Sequence, residues 1–127
     1  LSVYIERCPG FAIGSNTFVW RSDPQAAQRD GLKFVDCSAG VLTGLQTEHL
    51  CYGTPERGAG ITLENCTDMT IGHCQVLDPL HCGIELRNCS RCVVDGCTVL
   101  DRKDPTTMVE AIRVIGGVDN QVDRNFT

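Results

Sequence analysis

Apolar and polar residues alternate in short segments that recur along the chain. The pattern small–apolar–x–apolar–x–x–Cys begins at Ser2 (SVYIERC), Gly31 (GLKFVDC), Gly60 (GITLENC) and Gly83 (GIELRNC), and a form without the cysteine begins at Ala111 (AIRVIGG). These starts are 29, 29, 23 and 28 residues apart, and residues 60–78 match residues 83–101 at nine of nineteen positions. Self-similarity at a period of about 20 to 50 residues is typical of solenoids, propellers and repeat arrays.

Aligning the repeats places apolar residues in columns. Two columns alternate with polar or mixed positions, which predicts a strand with one buried face: Val3, Leu32, Ile61, Ile84, Ile112, and Ile5, Phe34, Leu63, Leu86, Val114. Two more columns follow, one formed by Ile13, Leu42, Ile71, Val94 and Val122, the other by Phe18, Val76 and Val99 with Thr47 and Thr127 off the pattern. Turn residues such as Gly44, Gly72 and Asp95-Gly96 separate them. Each repeat is therefore predicted to hold three short strands.

These features predict an all-β fold, a right-handed parallel β-helix of about five coils that forms a single domain over residues 1–127. Coils stack at about the normal strand spacing of 4.8 Å, and parallel crossovers are almost always right-handed. Only residues 23–31 suggest a helical turn, which excludes ankyrin and tetratricopeptide arrays. The extra residues of the longer coils all fall between the third strand and the next coil start, at one corner of the solenoid.

Charge and composition limit the classes of partner that the chain is expected to bind. The chain has 16 acidic against 11 basic side chains, a formal net charge of −5, which argues against a nucleic-acid partner. No apolar run reaches the roughly 18 residues that a membrane span requires, so no membrane partner is expected. The chain begins within a first strand and ends within a coil, so we expect either that it continues in a longer protein or that copies associate end to end.

Nine cysteines suggest a ladder of buried thiols. Cys8, Cys37, Cys66 and Cys89 share one column, and Cys74 and Cys97 share another with Asn16 and Asn125. In-register side chains point in parallel, with Cβ atoms farther apart than the roughly 3.8 Å typical of a disulfide. Free thiols that pack as small hydrophobes are therefore favoured, although a disulfide between Cys51 and Cys82 in the corner stays open. Zinc at Cys89-x-x-Cys92 is disfavoured because a second CxxC is missing.

The segments GIELRNCSRCVVDGCTVLD and AIRVIGGVDNQVDRNF resemble the generic coil of the right-handed parallel β-helix proteins of the pectate-lyase-like superfamily. The resemblance covers essentially the whole chain, but it includes no intact catalytic signature of polyuronate lyases, polygalacturonases or epimerases. It implies an acidic polysaccharide as partner and an exported or cell-surface location, whereas free cysteines leave the cytoplasm open. The resemblance specifies the fold and does not by itself specify the function.

In the resembled enzymes the substrate lies along the outer face of the first strand column. On that face the candidate catalytic residues are Glu64, Glu85, Arg87 and Arg113, and the candidate substrate-binding residues are Lys33 and, from the loops, Asp78, His81 and Asp101. Glu64 and Glu85 would lie roughly 8 Å apart by strand geometry, a separation that suits an inverting hydrolase. With calcium as cofactor bridging a uronate, carboxylates and an arginine would instead suit β-elimination.

The alternative is a non-catalytic structural or self-associating module. Glu64 would lie beside Arg87 of the next coil, and Glu85 beside Arg113, as in cross-strand ion pairs on a solvated face. A groove with carboxylates of raised pKa would favour an enzyme, whereas satisfied ion pairs would favour the structural module. Trp20, Tyr4 and Tyr52 are candidate residues for stacking on sugar rings.

Overall fold

The computed structural model of the chain describes residues 3–19, 31–50 and 52–127, which form strands and no helix. The predicted helical turn at residues 23–31 (apart from Gly31), together with Trp20 and Cys51, lies outside the described residues. None of the described residues belongs to a helix long and apolar enough to cross a membrane.

Within the described ranges, fourteen strands form three parallel sheets. The first sheet contains β1 (Val3–Glu6), β4 (Leu32–Val35), β7 (Ile61–Glu64), β10 (Cys82–Arg87) and β13 (Glu110–Ile115). The second contains β2 (Pro9–Gly14), β5 (Ser38–Thr43), β8 (Thr70–Gly72), β11 (Val93–Asp95) and β14 (Gln121–Asp123), and the third contains β3 (Thr17–Val19), β6 (Gln46–Glu48), β9 (Gln75–Leu77) and β12 (Thr98–Leu100). Four coils thus contribute three strands each, and the fifth contributes two and a bridge at Phe126. The all-β parallel solenoid predicted from the sequence is confirmed.

The strands stack in the register that the sequence columns predict. Ile61 pairs with Leu32 on one side and Ile84 on the other, and Leu63 pairs with Phe34 and Leu86 in the same way. The side chains of these columns are almost fully excluded from solvent in the middle coils. Because one coil cannot bury its inner face alone, the core forms by stacking like residues on like residues.

A residue in the left-handed region follows each of the first four strands of the first sheet. Asp36, Asn65 and Asn88 have φ of 54–55° there, and Gly116 has the corresponding role in the last coil. Asn, Asp and Gly adopt this conformation more readily than other residues. The turn leaves the backbone amide free to bond the next coil, as the Asn65 N–H does to the Arg87 carbonyl at 2.9 Å.

The described cysteines are free, and all but Cys8 are buried. The thiols that follow strands of the first two sheets bond the backbone of the preceding coil: Cys66 Sγ donates to the Phe34 carbonyl at 3.4 Å, and Cys89 Sγ to the Leu63 carbonyl at 3.4 Å. Cys82 Sγ instead donates to the Ile84 carbonyl of its own strand. Free, buried thiols were the expectation for these positions. Cys82 is also a buried free thiol, while its predicted disulfide partner Cys51 lies outside the described residues.

Thr47 occupies the apolar column of the third sheet, opposite Val76, and its hydroxyl is buried without a hydrogen-bond partner. We expect Thr47→Val to raise the free energy of unfolding by about 1 kcal/mol, because it removes the cost of burying an unsatisfied hydroxyl. Urea denaturation measures the change. The control is Thr62→Val, since the buried Thr62 hydroxyl accepts the Ala59 N–H at 3.0 Å and its loss should destabilise the protein. A destabilised Thr47→Val would contradict the assignment.

Candidate functional site

The outer face of the first sheet carries the two ladders that the sequence predicts. Tyr4, Lys33, Thr62, Glu85 and Arg113 are consecutive partners in one ladder, and Glu6, Val35, Glu64, Arg87 and Ile115 form the other. Residues 52–60, here called the covering loop, contact this face through hydrogen bonds to Glu64, Glu85, Arg87 and Arg113. The middle of the face is therefore covered by the chain itself.

Glu85 is the centre of this face, and its side chain is excluded from solvent. Its carboxylate accepts hydrogen bonds from Arg113 Nη1 at 2.9 Å, Arg87 Nε at 3.1 Å and the Gly58 N–H of the covering loop at 3.1 Å. Arg113 is also buried, and it donates to Glu110 Oε2 at 2.8 Å and to the Pro55 carbonyl. Arg87 Nη2 donates to the Glu56 carbonyl at 3.0 Å.

These contacts keep Glu85 ionised. Burial acts to raise the pKa of this carboxyl, but the hydrogen bonds from Arg87 and Arg113 outweigh burial and hold the pKa below its usual value. Arg113 has a raised pKa: burial opposes its charge, and the bonds to Glu110 and Glu85 outweigh that effect. A general acid at neutral pH needs the opposite shift, a carboxyl whose pKa is raised towards 7.

Glu64 lies at the edge of the covering loop and is less enclosed. Its carboxylate pairs with Arg57 Nη2 at 2.6 Å and with Lys33 Nζ at 3.3 Å. Lys33 Nζ also lies 6.0 Å from the centre of the Tyr52 ring. The predicted partner Arg87 does stand opposite Glu64 in the sheet register, yet its guanidinium turns to Glu85 instead.

A second polar cluster lies where the third sheet ends. Asp78 is buried, and Arg102 Nη2 bonds both Asp78 Oδ2 at 2.6 Å and Glu48 Oε1 at 3.0 Å. Glu48, His49 and Asp78 are the one group of three within the described residues whose ligand atoms lie close enough to hold a metal ion. Arg102 contacts the same carboxylate oxygens, so this cluster already contains its own cation.

Asp101 organises the neighbouring loop. Its carboxylate pairs with Lys103 Nζ at 2.7 Å and accepts the backbone N–H groups of Thr107 at 2.7 Å and Met108 at 2.8 Å. The His81 carbonyl accepts the Val109 N–H at 2.7 Å and the Glu110 N–H at 3.2 Å, which joins the same loop to the start of β10. Across the described part of the chain, no hydrogen bond or ion pair links Asp78, His81 or Asp101 to Glu85.

The Asp101 contacts predict an acid-sensitive loop. Burial would raise the pKa of this carboxyl, but the bonds from Lys103, Met108 and Thr107 outweigh it and lower the pKa to about 2. Because the folded-state pKa lies below the unfolded value of about 3.9, the contribution of Asp101 to stability is present above that value and is lost as the pH falls towards 2. We expect Asp101→Asn to destabilise the protein at pH 7 and to have much less effect at pH 2.

Chemical denaturation of both proteins at a series of pH values measures this difference. Asp104→Asn, an exposed change in the same loop, serves as control. A destabilisation by Asp101→Asn that stays the same down to pH 2 would contradict the assigned role of the carboxylate.

The structure brings together the four candidate catalytic residues and Lys33 on one face, and it places Asp78, His81 and Asp101 in the corner loops. Sequence reasoning missed Arg57, Gly58, Glu48, His49 and Arg102. Alignment of the repeats could have indicated His49, because it corresponds to Asp78 one coil earlier. No periodic signal marks Arg57 or Gly58, since the sequence of the covering loop differs from that of the equally long segment one coil earlier, residues 23–31.

One family model matches the chain over residues 2–126, and its description is "right handed beta helix region". No curated protein and no solved structure matches. The three parallel sheets, with one strand per sheet in each coil, agree with that description. The chain therefore belongs to the right-handed β-helix family.

Proposed function

We propose that this β-helix is a non-catalytic binding or structural module. The observation that supports the proposal best is Glu85, the central carboxylate of the candidate site, which is buried, paired with two arginines and held at a low pKa. A carboxylate that is paired in this way is not available as a free acid or base for proton transfer.

An acidic polysaccharide is the ligand that we propose for the uncovered part of the first sheet. Tyr4 is half exposed, and Lys33, Tyr52 and Arg57 lie beside it or at the rim of the covering loop. Aromatic rings pack against the apolar faces of sugars, and Lys and Arg bond carboxylates. We also propose that calcium bridges such a polymer to Glu64, because calcium takes oxygen ligands and both the uronate and Glu64 supply carboxylate oxygens.

The experiment compares binding with cleavage. The full chain is incubated with pectic, alginate and glycosaminoglycan polymers, with and without calcium, and both unsaturated uronides and new reducing ends are followed. We expect retention of a polyuronate on an affinity gel without product, and loss of that retention in Lys33→Ala/Arg57→Ala. Product formation that disappears in Glu85→Gln would overturn the non-catalytic proposal, and the absence of retention would overturn the polysaccharide.

The second candidate partner is another copy of the chain, bound end to end. In the last coil Val114 and Val122 are 45% and 42% exposed, although their columns are buried in the middle coils. Another copy that adds its β1 and β2 to this edge would cover them in the same register. Light scattering over a concentration series tests this: growth of mass with concentration is expected, and its reduction in Val122→Lys would support the edge contact. A constant monomer mass would exclude it.

A further inference from the structure

The buried thiols have a geometry that the proposed polysaccharide module does not use. Cys74 and Cys97 occupy equivalent positions in adjacent coils, two residues after β8 and β11, and each is about 1% exposed. Cys74 Sγ lies 3.7 Å from the Leu42 carbonyl, and Cys97 Sγ lies 3.6 Å from the Ile71 carbonyl, which is the equivalent contact one coil further on. Leu45 precedes them in this column and Asn125 follows them, so the column contains two thiols and no third.

We propose that Cys74 and Cys97 together form a two-coordinate site for a soft monovalent cation such as Cu(I). Thiolate sulfur is the ligand that selects Cu(I) over hard divalent ions. With metal–sulfur bonds of about 2.3 Å, a linear sulfur–metal–sulfur unit spans about 4.6 Å, close to the strand spacing of about 4.8 Å. Stacking in register therefore sets two sulfur atoms near the separation that this coordination needs.

The environment favours two ligands rather than four. Within the described residues, one group of three side chains has ligand atoms that all lie close to one another, and it consists of Glu48, His49 and Asp78. No group of three described thiols meets that condition. A structural zinc site needs four ligands in a tetrahedron. The arrangement thus suits a linear two-coordinate ion and disfavours zinc, in line with the expectation from the sequence.

Binding exchanges protons for the cation without any redox step. One Cu(I) displaces the protons of both thiols, two sulfur–copper bonds form and two protons leave to solvent. The neighbouring Cys74 thiol lowers the pKa of Cys97 to about 7, and Cys97 in turn raises the pKa of Cys74. The Cys74 backbone N–H also acts to lower the pKa of Cys97, so part of the charge on the bound thiolates is stabilised before the cation binds.

The column itself shows that polar groups at these positions are compatible with the fold. Asn125, the next residue of the column, accepts the Cys97 N–H at 2.8 Å and donates to the Val94 carbonyl at 3.1 Å. The Cys74 and Cys97 thiols donate to the corresponding carbonyls of the preceding coils, those of Leu42 and Ile71. A serine at either cysteine keeps a donor and an acceptor there, so Cys→Ser variants are suitable tests of metal binding that preserve the hydrogen-bonding capacity.

The experiment uses the reduced full chain under anaerobic conditions, with the partly exposed Cys8 and also Cys51 changed to serine. Cu(I) is titrated in competition with a chromogenic Cu(I) chelator, and the bound equivalents are counted. We expect Cys74→Ser, Cys97→Ser and the double variant each to lose the same single equivalent. The matched control Cys82→Ser should keep it, because the buried Cys82 thiol lies outside both cysteine columns and donates to the Ile84 carbonyl. Unchanged stoichiometry in Cys97→Ser, or a loss of two equivalents only in the double variant, would overturn the proposal.

Two further measurements guard against variants that fold poorly. X-ray absorption of the Cu(I)-loaded parent is expected to show copper with two sulfur neighbours, and three or more would contradict the two-thiol site. Cu(I) is also expected to raise the thermal midpoint of the parent and of Cys82→Ser, because a ligand of the folded state stabilises it. An equal rise in Cys97→Ser would place the copper elsewhere.

Discussion

Replacement of Glu85 by glutamine should lower the free energy of unfolding by about 3 kcal/mol, because it removes the buried carboxylate that shares with Glu110 the compensation of the Arg113 charge. Glutamine has nearly the shape of glutamate, so the change removes the charge and little packing. Arg113, whose side chain is 5% exposed, would then keep Glu110 as its one carboxylate partner. Urea denaturation followed by far-UV circular dichroism measures the loss.

Glu64→Gln is the matched control on the same face. Glu64 pairs with Arg57, whose side chain is 59% exposed, so we expect a loss of no more than about 1 kcal/mol. Similar losses in the two variants would show that the Glu85 carboxylate is not enclosed by the covering loop. The same experiment at low pH gives a second check, because the depressed pKa of Glu85 means that its contribution is present above the unfolded pKa and disappears as the pH falls through the folded value.

The Glu85 cluster also shows what the sequence could predict about the site. The register follows from the period of the repeat, because a shift by one residue would turn every core side chain outwards. That constraint correctly placed Glu85 opposite Arg113 and Glu64 opposite Arg87. The ion pair between Glu85 and Arg113, which the non-catalytic alternative required, is present at 2.9 Å.

The burial of Glu85 could not be predicted in the same way. It depends on the path of the covering loop, which is fixed by single contacts such as the Gly58 N–H to the Glu85 carboxylate and the Pro55 carbonyl to Arg113. These contacts have no period, and they join residues 27 and 58 positions apart. The open groove implied by the resemblance is thus covered at its centre, while the catalytic role of these four residues stays a prediction.

For the thiols too, the repeat predicts some features and not others. Their column positions follow from the repeat, and their burial follows from the inward direction of the columns. Which atoms each sulfur bonds depends on the turn geometry, since the thiol reaches a carbonyl of the preceding coil only where the backbone bends after a strand. A repeat pattern therefore predicts neighbours along a column more reliably than it predicts contacts across a turn.

The cost of shortening a core side chain should depend on whether its coil lies in the middle or at the end of the stack. Leu86 and Val114 are direct partners in the first sheet, but Leu86 is fully buried between two coils whereas Val114 is 45% exposed. We expect Leu86→Ala to lower the free energy of unfolding by about 3 kcal/mol, the sum of lost transfer energy and the cavity that remains. Val114→Ala should cost no more than about 1 kcal/mol, because the smaller side chain already contacts solvent.

Urea denaturation of both variants, monitored by circular dichroism at two protein concentrations, distinguishes two models of how the last coil is stabilised. If each coil is stabilised by the coils on both sides, the loss at Leu86 will exceed the loss at Val114 several-fold. Equal losses, with that at Val114 falling on dilution, would instead show that the last coil is covered by another copy in solution. The comparison therefore tests the stacking principle and the end-to-end contact with the same two substitutions.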